Sequence, residues 1–263
     1  MSLIAEAADA NFLVHAAWVQ SRVPGMTASS ARGVTVVDSG LACDTFNCIL
    51  AARLETAGTD AAIASALAHF GDVGRPFSWW VGPTDRPADL GMRLLAAGLA
   101  AAEGELAMSV ELDAPRPDDV ASVPGELAIE RVATPAQLSD FAAVNAANWS
   151  PPDANVLRFY AAAASVLLSR ESPFRCFVGR VGGEPVATLE LAIGGGVGGI
   201  YNVATVARFR RRGFASAMMR RALDEARAAG LHAAVLQAAP DGVGVYRRLG
   251  FREFGRITEY KPR

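Results

Sequence analysis

Apolar and polar positions follow two distinct periods along the chain. Residues 1–20 carry Ala, Phe, Leu, Val and Trp at helical spacing and predict an N-terminal helix. Residues 21–32 are polar, contain Pro24 and Gly25, and predict a loop. The runs at 33–37 and 45–50 predict two strands joined through a Ser39-Gly40 turn. Thr59-Asp60 starts a helix to about residue 70, with Ile63 and Leu67 on one face. A strand over 77–81, a helix over 89–101 and an alternating strand over 105–112 complete the first half.

Residues 113–125 are rich in Pro and Asp, the composition of a linker. Beyond it the pattern predicts a strand over 127–132 and a helix from Thr134-Pro135 through residue 148, with proline at the tolerated first position. Pro151-Pro152 interrupt the chain, and a second helix covers about 154–169. A hairpin follows, 174–181 and 185–193, turning at Gly182-Gly183. The glycines at 194–199 lead into a strand over 200–206. They match a dinucleotide fingerprint in spacing only: no helix follows them to supply N–H dipoles, so they read as a flexible strand connection.

After residue 198 the order is strand, helix, strand, helix, strand, as it is after residue 33. Leu94-Leu95-Ala96-Ala97-Gly98-Leu99 sits where Tyr246-Arg247-Arg248-Leu249-Gly250-Phe251 sits later. We read a diverged internal duplication whose first copy lacks part of its front, and two α/β domains, 1–115 and 126–263.

Composition narrows the function classes. Of 263 residues 51% are hydrophobic and 20% charged, enough apolar material for proper cores, and the net charge of −2 gives no global attraction for nucleic acid. Cys43, Cys48 and Cys176 are too few and too irregular for a disulfide framework. With no signal peptide apparent, the expectation is buried free thiols in a reducing cytoplasm. His15, His69 and His232 are scattered and predict no metal site. No apolar run has membrane-spanning length.

Candidate chemistry concentrates at 203–216, VATVARFRRRGFAS. β-Branched Val203, Thr205 and Val206 suit a strand end. Arg208, Arg210, Arg211 and Arg212 precede Gly213. A helical pattern then begins, with Phe214, Met218, Ala222 and Ala226 four residues apart. The first N–H groups of a helix lack partners and sit at the positive end of its dipole, so this loop suits a phosphate or pyrophosphate.

Arg210-Arg211-Arg212-Gly213-Phe214-Ala215 resembles the Q/R-x-x-G-x-G/A signature of the GCN5-related N-acetyltransferases (GNAT). The apolar strand 232–239 and the Tyr-x-x-x-Gly-Phe ending at 246–251 strengthen the likeness from about residue 127 to the C-terminus. It implies two tandem GNAT-like domains, each a mixed, mostly antiparallel sheet flanked by helices. The first copy is degenerate: Glu55 and Asp60 occupy the phosphate-loop position, where acids repel pyrophosphate, and Leu94 replaces Tyr246. That copy is structural or shapes the substrate site, or it binds another ligand through Phe46, Trp79 and Trp80.

The resemblance further implies acetyl transfer from acetyl-CoA to the primary amine of a small molecule, with no metal. Backbone groups of Val203, Ala204 and Thr205 would hold the pantetheine arm. The N–H groups of Arg211, Arg212, Gly213, Phe214, Ala215 and Ser216 would hold the pyrophosphate, with the Arg211 and Arg212 side chains in reach of the 3′-phosphate. Tyr246 would protonate the leaving thiolate. The strand position where many relatives carry a glutamate base aligns with Gly199. Glu190 and Glu259 remain alternatives acting through water, with Asn202 orienting it, and none is assigned. Acceptor-lining candidates are Trp149, Phe159 and Tyr160. A non-catalytic CoA-binding module, or a different acyl donor or acceptor, stays open. Oligomeric state is not legible.

Overall fold

The computed structural model describes residues 3–102, 104–114 and 124–263. The first half comprises α1 (Leu3–Ala17), β1 (Thr27–Ala31), β2 (Val34–Asp38), β3 (Cys48–Leu50), α2 (Thr59–Val73), β4 (Ser78–Val81), α3 (Leu90–Ala96), β5 (Leu99–Ala101) and β6 (Glu105–Glu111). The second comprises β7 (Leu127–Arg131), α4 (Pro135–Ala146), α5 (Ala154–Leu167), β8 (Phe174–Val181), β9 (Glu184–Gly194) and β10 (Val197–Thr205). It ends with α6 (Phe214–Ala228), β11 (Ala233–Ala238), α7 (Val243–Arg248) and β12 (Arg252–Pro262).

Two elements depart from the sequence expectations, each for a local reason. β1 lies where a polar loop is predicted; its largely exposed TASSA edge strand has no apolar alternation to betray it. The helix predicted over 89–101 stops at Ala96, because Gly98 (φ 94°) turns the chain into β5. β12 is the last strand of the order expected after residue 198, and a register shift between Glu253 and Gly255 interrupts its pairing with β6. The predicted 113–125 linker falls mainly on residues outside those described.

Local chemistry accounts for the helix starts. Thr134 caps α4 through a capping box: its Oγ1 accepts from the Gln137 backbone N–H (3.3 Å), and Gln137 Oε1 accepts from the Thr134 N–H (3.1 Å). The apolar stripe of α6, from Phe214 through Met218 and Ala222 to Ala226, is buried in a core shared with Met108 of β6, Leu236 of β11 and Phe251.

The twelve described strands form one sheet in the order β1-β2-β3-β4-β12-β6-β11-β10-β9-β8-β7, with β5 on β12. The two halves exchange their final strands. β6, from the first half, lies between β11 and β12 and is antiparallel to both. β12 pairs with β6 through residues 252–257. It then continues into the first half, pairing with β4 through 258–260 and with β5 through 260–262. Each half thereby covers a sheet edge of the other that would otherwise present unpaired N–H and C=O groups. A second shared core joins Val19 and Val23, just after α1, to Phe141 and Phe159 of the second half.

α1 lies across β9 and β10, and the glycine run is what admits it. Fully buried Asn11 directs Nδ2 at the carbonyls of Ala192 (2.9 Å), Gly194 (2.9 Å) and Val197 (3.0 Å). A Cβ at Gly199 would overlap the Asn11 carboxamide, and one at Gly194 would stand 2.8 Å from Val14. These glycines are therefore strand and turn positions fitted beneath a helix, and not a loose connection. No helix among the described residues is long and apolar enough to cross a membrane.

Candidate active site

The chain leaves β10 at Thr205, makes a single 3₁₀ turn over Ala207–Phe209 and enters α6 at Phe214. Arg211 (φ 64°) and Gly213 (φ 81°) both adopt the left-handed conformation, which costs glycine little and arginine more. Gly213 is the N-cap of α6 and offers no side-chain acceptor, so the first-turn donors stay available to an anion. The arginines divide in role. Arg208 pairs with Glu184, Arg210 Nε donates to the Thr205 carbonyl (3.1 Å), and Arg212 pairs with Glu126 (2.6 Å). Exposed Arg211 has no ion-pair partner among the described residues.

β10 and β11 run parallel and pair only at Gly198–Ala234, Gly199–Val235 and Ile200–Leu236. Past Ile200 they no longer pair, which leaves residues 201–205 with one side unpaired toward β11. A bulge falls at the same place. The β9 register jumps from Tyr201–Glu190 to Ala204–Thr188, and Asn202 takes a left-handed φ of 52°. Val203, Ala204 and Thr205 therefore line an open strand side immediately before the α6 entrance.

Tyr246 lies on α7, which connects β11 to β12. Its ring is half-buried, edge-on to Phe251 (centroids 6.1 Å apart), and its hydroxyl has no hydrogen-bond partner among the described residues. Burial, then the nearby Glu105 carboxylate, pushes this phenol above its ordinary range.

A cavity of about 350 Å³ opens between the halves. Asn202 and Gln237, from the parting ends of β10 and β11, belong to its wall. Phe46 and Trp80 of the first half and Trp149 and Phe159 of the second line it together; Phe46 and Phe159 stack on each other at 3.8 Å with their rings nearly parallel. Of the aromatics suspected in the first half, Trp79 is fully buried in core, whereas Phe46 and Trp80 serve this joint cavity and not a separate one. Trp149, Phe159 and Tyr160, the residues the sequence offers as acceptor-lining candidates, are all in its wall.

A polar group lies in the wall. His15 Nδ1 is 2.7 Å from Glu190 Oε1. Asn202 Nδ2 donates to Glu190 Oε2 (3.2 Å) and to the Tyr160 hydroxyl (3.1 Å). The His15 ring stacks on Tyr201 at 3.8 Å, and the Tyr201 hydroxyl donates to Asn11 Oδ1 (2.9 Å). Glu259 lies in the same wall, accepting from Ser78 Oγ and pairing with Lys261 (3.2 Å), which also reaches Asp44 (2.9 Å). Sequence reasoning raised Glu190, Glu259 and Asn202 singly but missed His15. Its partner is 175 residues away, and no local pattern marks it.

The turn at residues 55–60 of the first half is built differently. Thr59 Oγ1 donates to the Glu55 carbonyl (2.9 Å), Asp60 pairs with Arg93 (2.8 Å), and Leu94 is fully buried. Cys43, Cys48 and Cys176 are buried free thiols; burial lifts Cys48 to about 12. Among the described residues no group of three or more His, Cys, Asp or Glu is placed to hold a metal ion.

Residues 138–251 match the model of the acetyltransferase (GNAT) family. No curated protein matches the sequence. Among solved structures, a GCN5-related N-acetyltransferase from Kribbella flavida is similar over 96% of this chain and 95% of its own, at 21% identity and a TM-score of 0.71. One from Sphaerobacter thermophilus is similar over 89% and 81%, at 17% and 0.62. A tandem GNAT protein from the clavulanic acid biosynthesis pathway is similar over 91% and 83%, at 13% and 0.62. At these identities the likeness is one of fold, and the family match falls on the half that holds the β10–β11 gap, the α6 entrance and Tyr246. This protein carries an acetyltransferase (GNAT) family domain at residues 138–251.

Proposed function

We propose that the protein is an N-acetyltransferase that moves the acetyl group of acetyl-CoA onto the primary amine of a small molecule. The observation that carries this reading is the meeting of two spaces at Asn202 and Gln237. On one side the strands part beside the arginine-flanked N-terminus of α6; on the other lies the aromatic cavity. In this reading the N–H groups of residues 211–216 hold the pyrophosphate and Arg211 meets the 3′-phosphate. Val203, Ala204 and Thr205 hold the pantetheine arm. Tyr246, kept protonated by burial, donates to the leaving thiolate.

The cavity is of small-molecule size. Its aromatic walls together with Glu190, Glu259 and Asp44 favour a cationic amine on an apolar body. The first half acts here as a wall of the acceptor site. We take it as a degenerate copy of the same unit, since its elements from β1 through β5 follow the order of those from β8 through β12 and the turn into α2 carries Glu55 and Asp60. Buried unpaired thiols suit a reducing, cytoplasmic setting.

Gly199, which leaves no carboxylate at the familiar base position, favours a second reading: a module that binds CoA without catalysis. Calorimetry with acetyl-CoA and a thiol-release assay over a panel of amines separate the two. Release of CoA with at least one amine supports the enzyme. Tight binding without release for any amine supports the module, and no binding of CoA or acetyl-CoA ends both.

A further inference from the structure

Resting on the acetyltransferase reading, we propose that His15, held by Glu190 and contributed by the first half of the chain, is the general base that deprotonates the acceptor amine. Facing a carboxylate at 2.7 Å, Nδ1 is the donor; the neutral imidazole then has its lone pair on Nε2, which has no partner among the described residues. The pair is not an exposed ion pair: the His15 side chain is 25% exposed and that of Glu190 4%. The second Glu190 oxygen is held by Asn202, the bulge residue beside the parting strands. The base, its orienting carboxylate and Asn202, the residue that precedes Val203 on β10, thus lie along one cavity wall.

This also explains Gly199. The position where a strand glutamate would act is covered by Asn11, one helical turn before His15 on the same helix. The helix that excludes a carboxylate there brings an imidazole instead.

The balance is simple. An ammonium acceptor loses one proton to His15 Nε2, which passes it to solvent. The free amine forms the C–N bond to the acetyl carbonyl and the C–S bond breaks. The second nitrogen proton replaces the one that Tyr246 gives to the CoA thiolate. The groups facing His15 are Glu190 from β9, Tyr201 from β10 and, across the cavity, Tyr160, Asp44, Glu259 and Lys261. Both tyrosines are pushed far above their ordinary range by burial and then by Glu190, so they stay protonated and cannot take the amine's proton in place of His15.

The test measures kcat/KM against pH, with acetyl-CoA Kd from calorimetry, for wild type, His15→Ala and Glu190→Gln, using the best amine of the panel. We expect His15→Ala to lower kcat/KM by about 100-fold or more with Kd unchanged, to lose the acid limb of the profile, and to regain part of the rate with added imidazole. Glu190→Gln should fall between this variant and wild type. Should His15→Ala fail to bind acetyl-CoA, His15→Asn, which keeps a donor toward Glu190, is measured in its place. A variant that keeps the wild-type rate, or loses the rate but retains the wild-type acid limb, overturns the His15 assignment alone. A wild type that releases no CoA with any amine overturns the acetyltransferase reading and this inference with it.

Discussion

At the scale of single residues, two buried acids of opposite purpose set measurable pH behaviour. Tyr246 is held protonated by its surroundings. In the proposed role of general acid it would be lost only on the alkaline side, above the ordinary tyrosine value of about 10. Tyr246→Phe is expected to lower kcat by about 100-fold while acetyl-CoA Kd, read by calorimetry, stays within a factor of about two. Asp85 is lifted from 3.8 to about 6, chiefly by burial, although it accepts from the Gly82 N–H (2.7 Å) and pairs with Arg53 (2.8 Å). Its folded-state value lies above its unfolded one, so the folded state binds more protons between these limits. The contribution of Asp85 is therefore fully present below about pH 4 and declines as pH rises through about 6, by about 1.4 kcal/mol for every tenfold fall in proton concentration across that window. Thermal melts from pH 4 to 7 should show this negative component in wild type and lose it in Asp85→Asn.

At the scale of elements, the site depends on how closely α1 approaches the sheet and how α6 begins. Gly199→Ala places a methyl group against Asn11 and Tyr201, and overpacking of this kind costs about 1–3 kcal/mol. A lowered midpoint in urea, with α1 displaced and amine turnover reduced more than acetyl-CoA binding, is the expected result. Gly213→Val forces a β-branched residue to a φ of 81° at the α6 N-cap. It should weaken acetyl-CoA binding in calorimetry by about tenfold or more, since even about 1.4 kcal/mol of misplacement has that effect. Arg211→Ala should weaken CoA more than 3′-dephospho-CoA if this unpaired cation meets the 3′-phosphate.

At the scale of the whole molecule, the strand exchange makes the halves interdependent. Residues 124–263 alone lack β6, which would leave β11 and β12 with bare edges and remove Met108 from the core around α6. Expressed alone, this segment is expected to aggregate or to fail to bind acetyl-CoA. Co-expression with residues 1–114 should restore a soluble complex, and a fully active isolated second half would contradict the account. The cavity between the halves gives the same expectation, because His15, Phe46 and Trp80 come from the first half.

What the amino-acid sequence determined by itself was local. The α6 stripe and its glycine entrance, the Thr134-Pro135 helix start, the 174–193 hairpin and the helix that carries Tyr246 all follow from residues within a few turns of one another, where periodicity and turn chemistry act directly. Tertiary structure decided what depends on contacts distant along the chain. These are the exchange of β6 and β12, the covering of Gly199 by Asn11, and the meeting of His15 with Glu190 across 175 residues. A histidine in the last turn of a mostly apolar helix gives no local sign of the carboxylate it will face. Only closing the sheet between the halves, which buries the free edges and the glycine floor under α1, brings the two into one cavity.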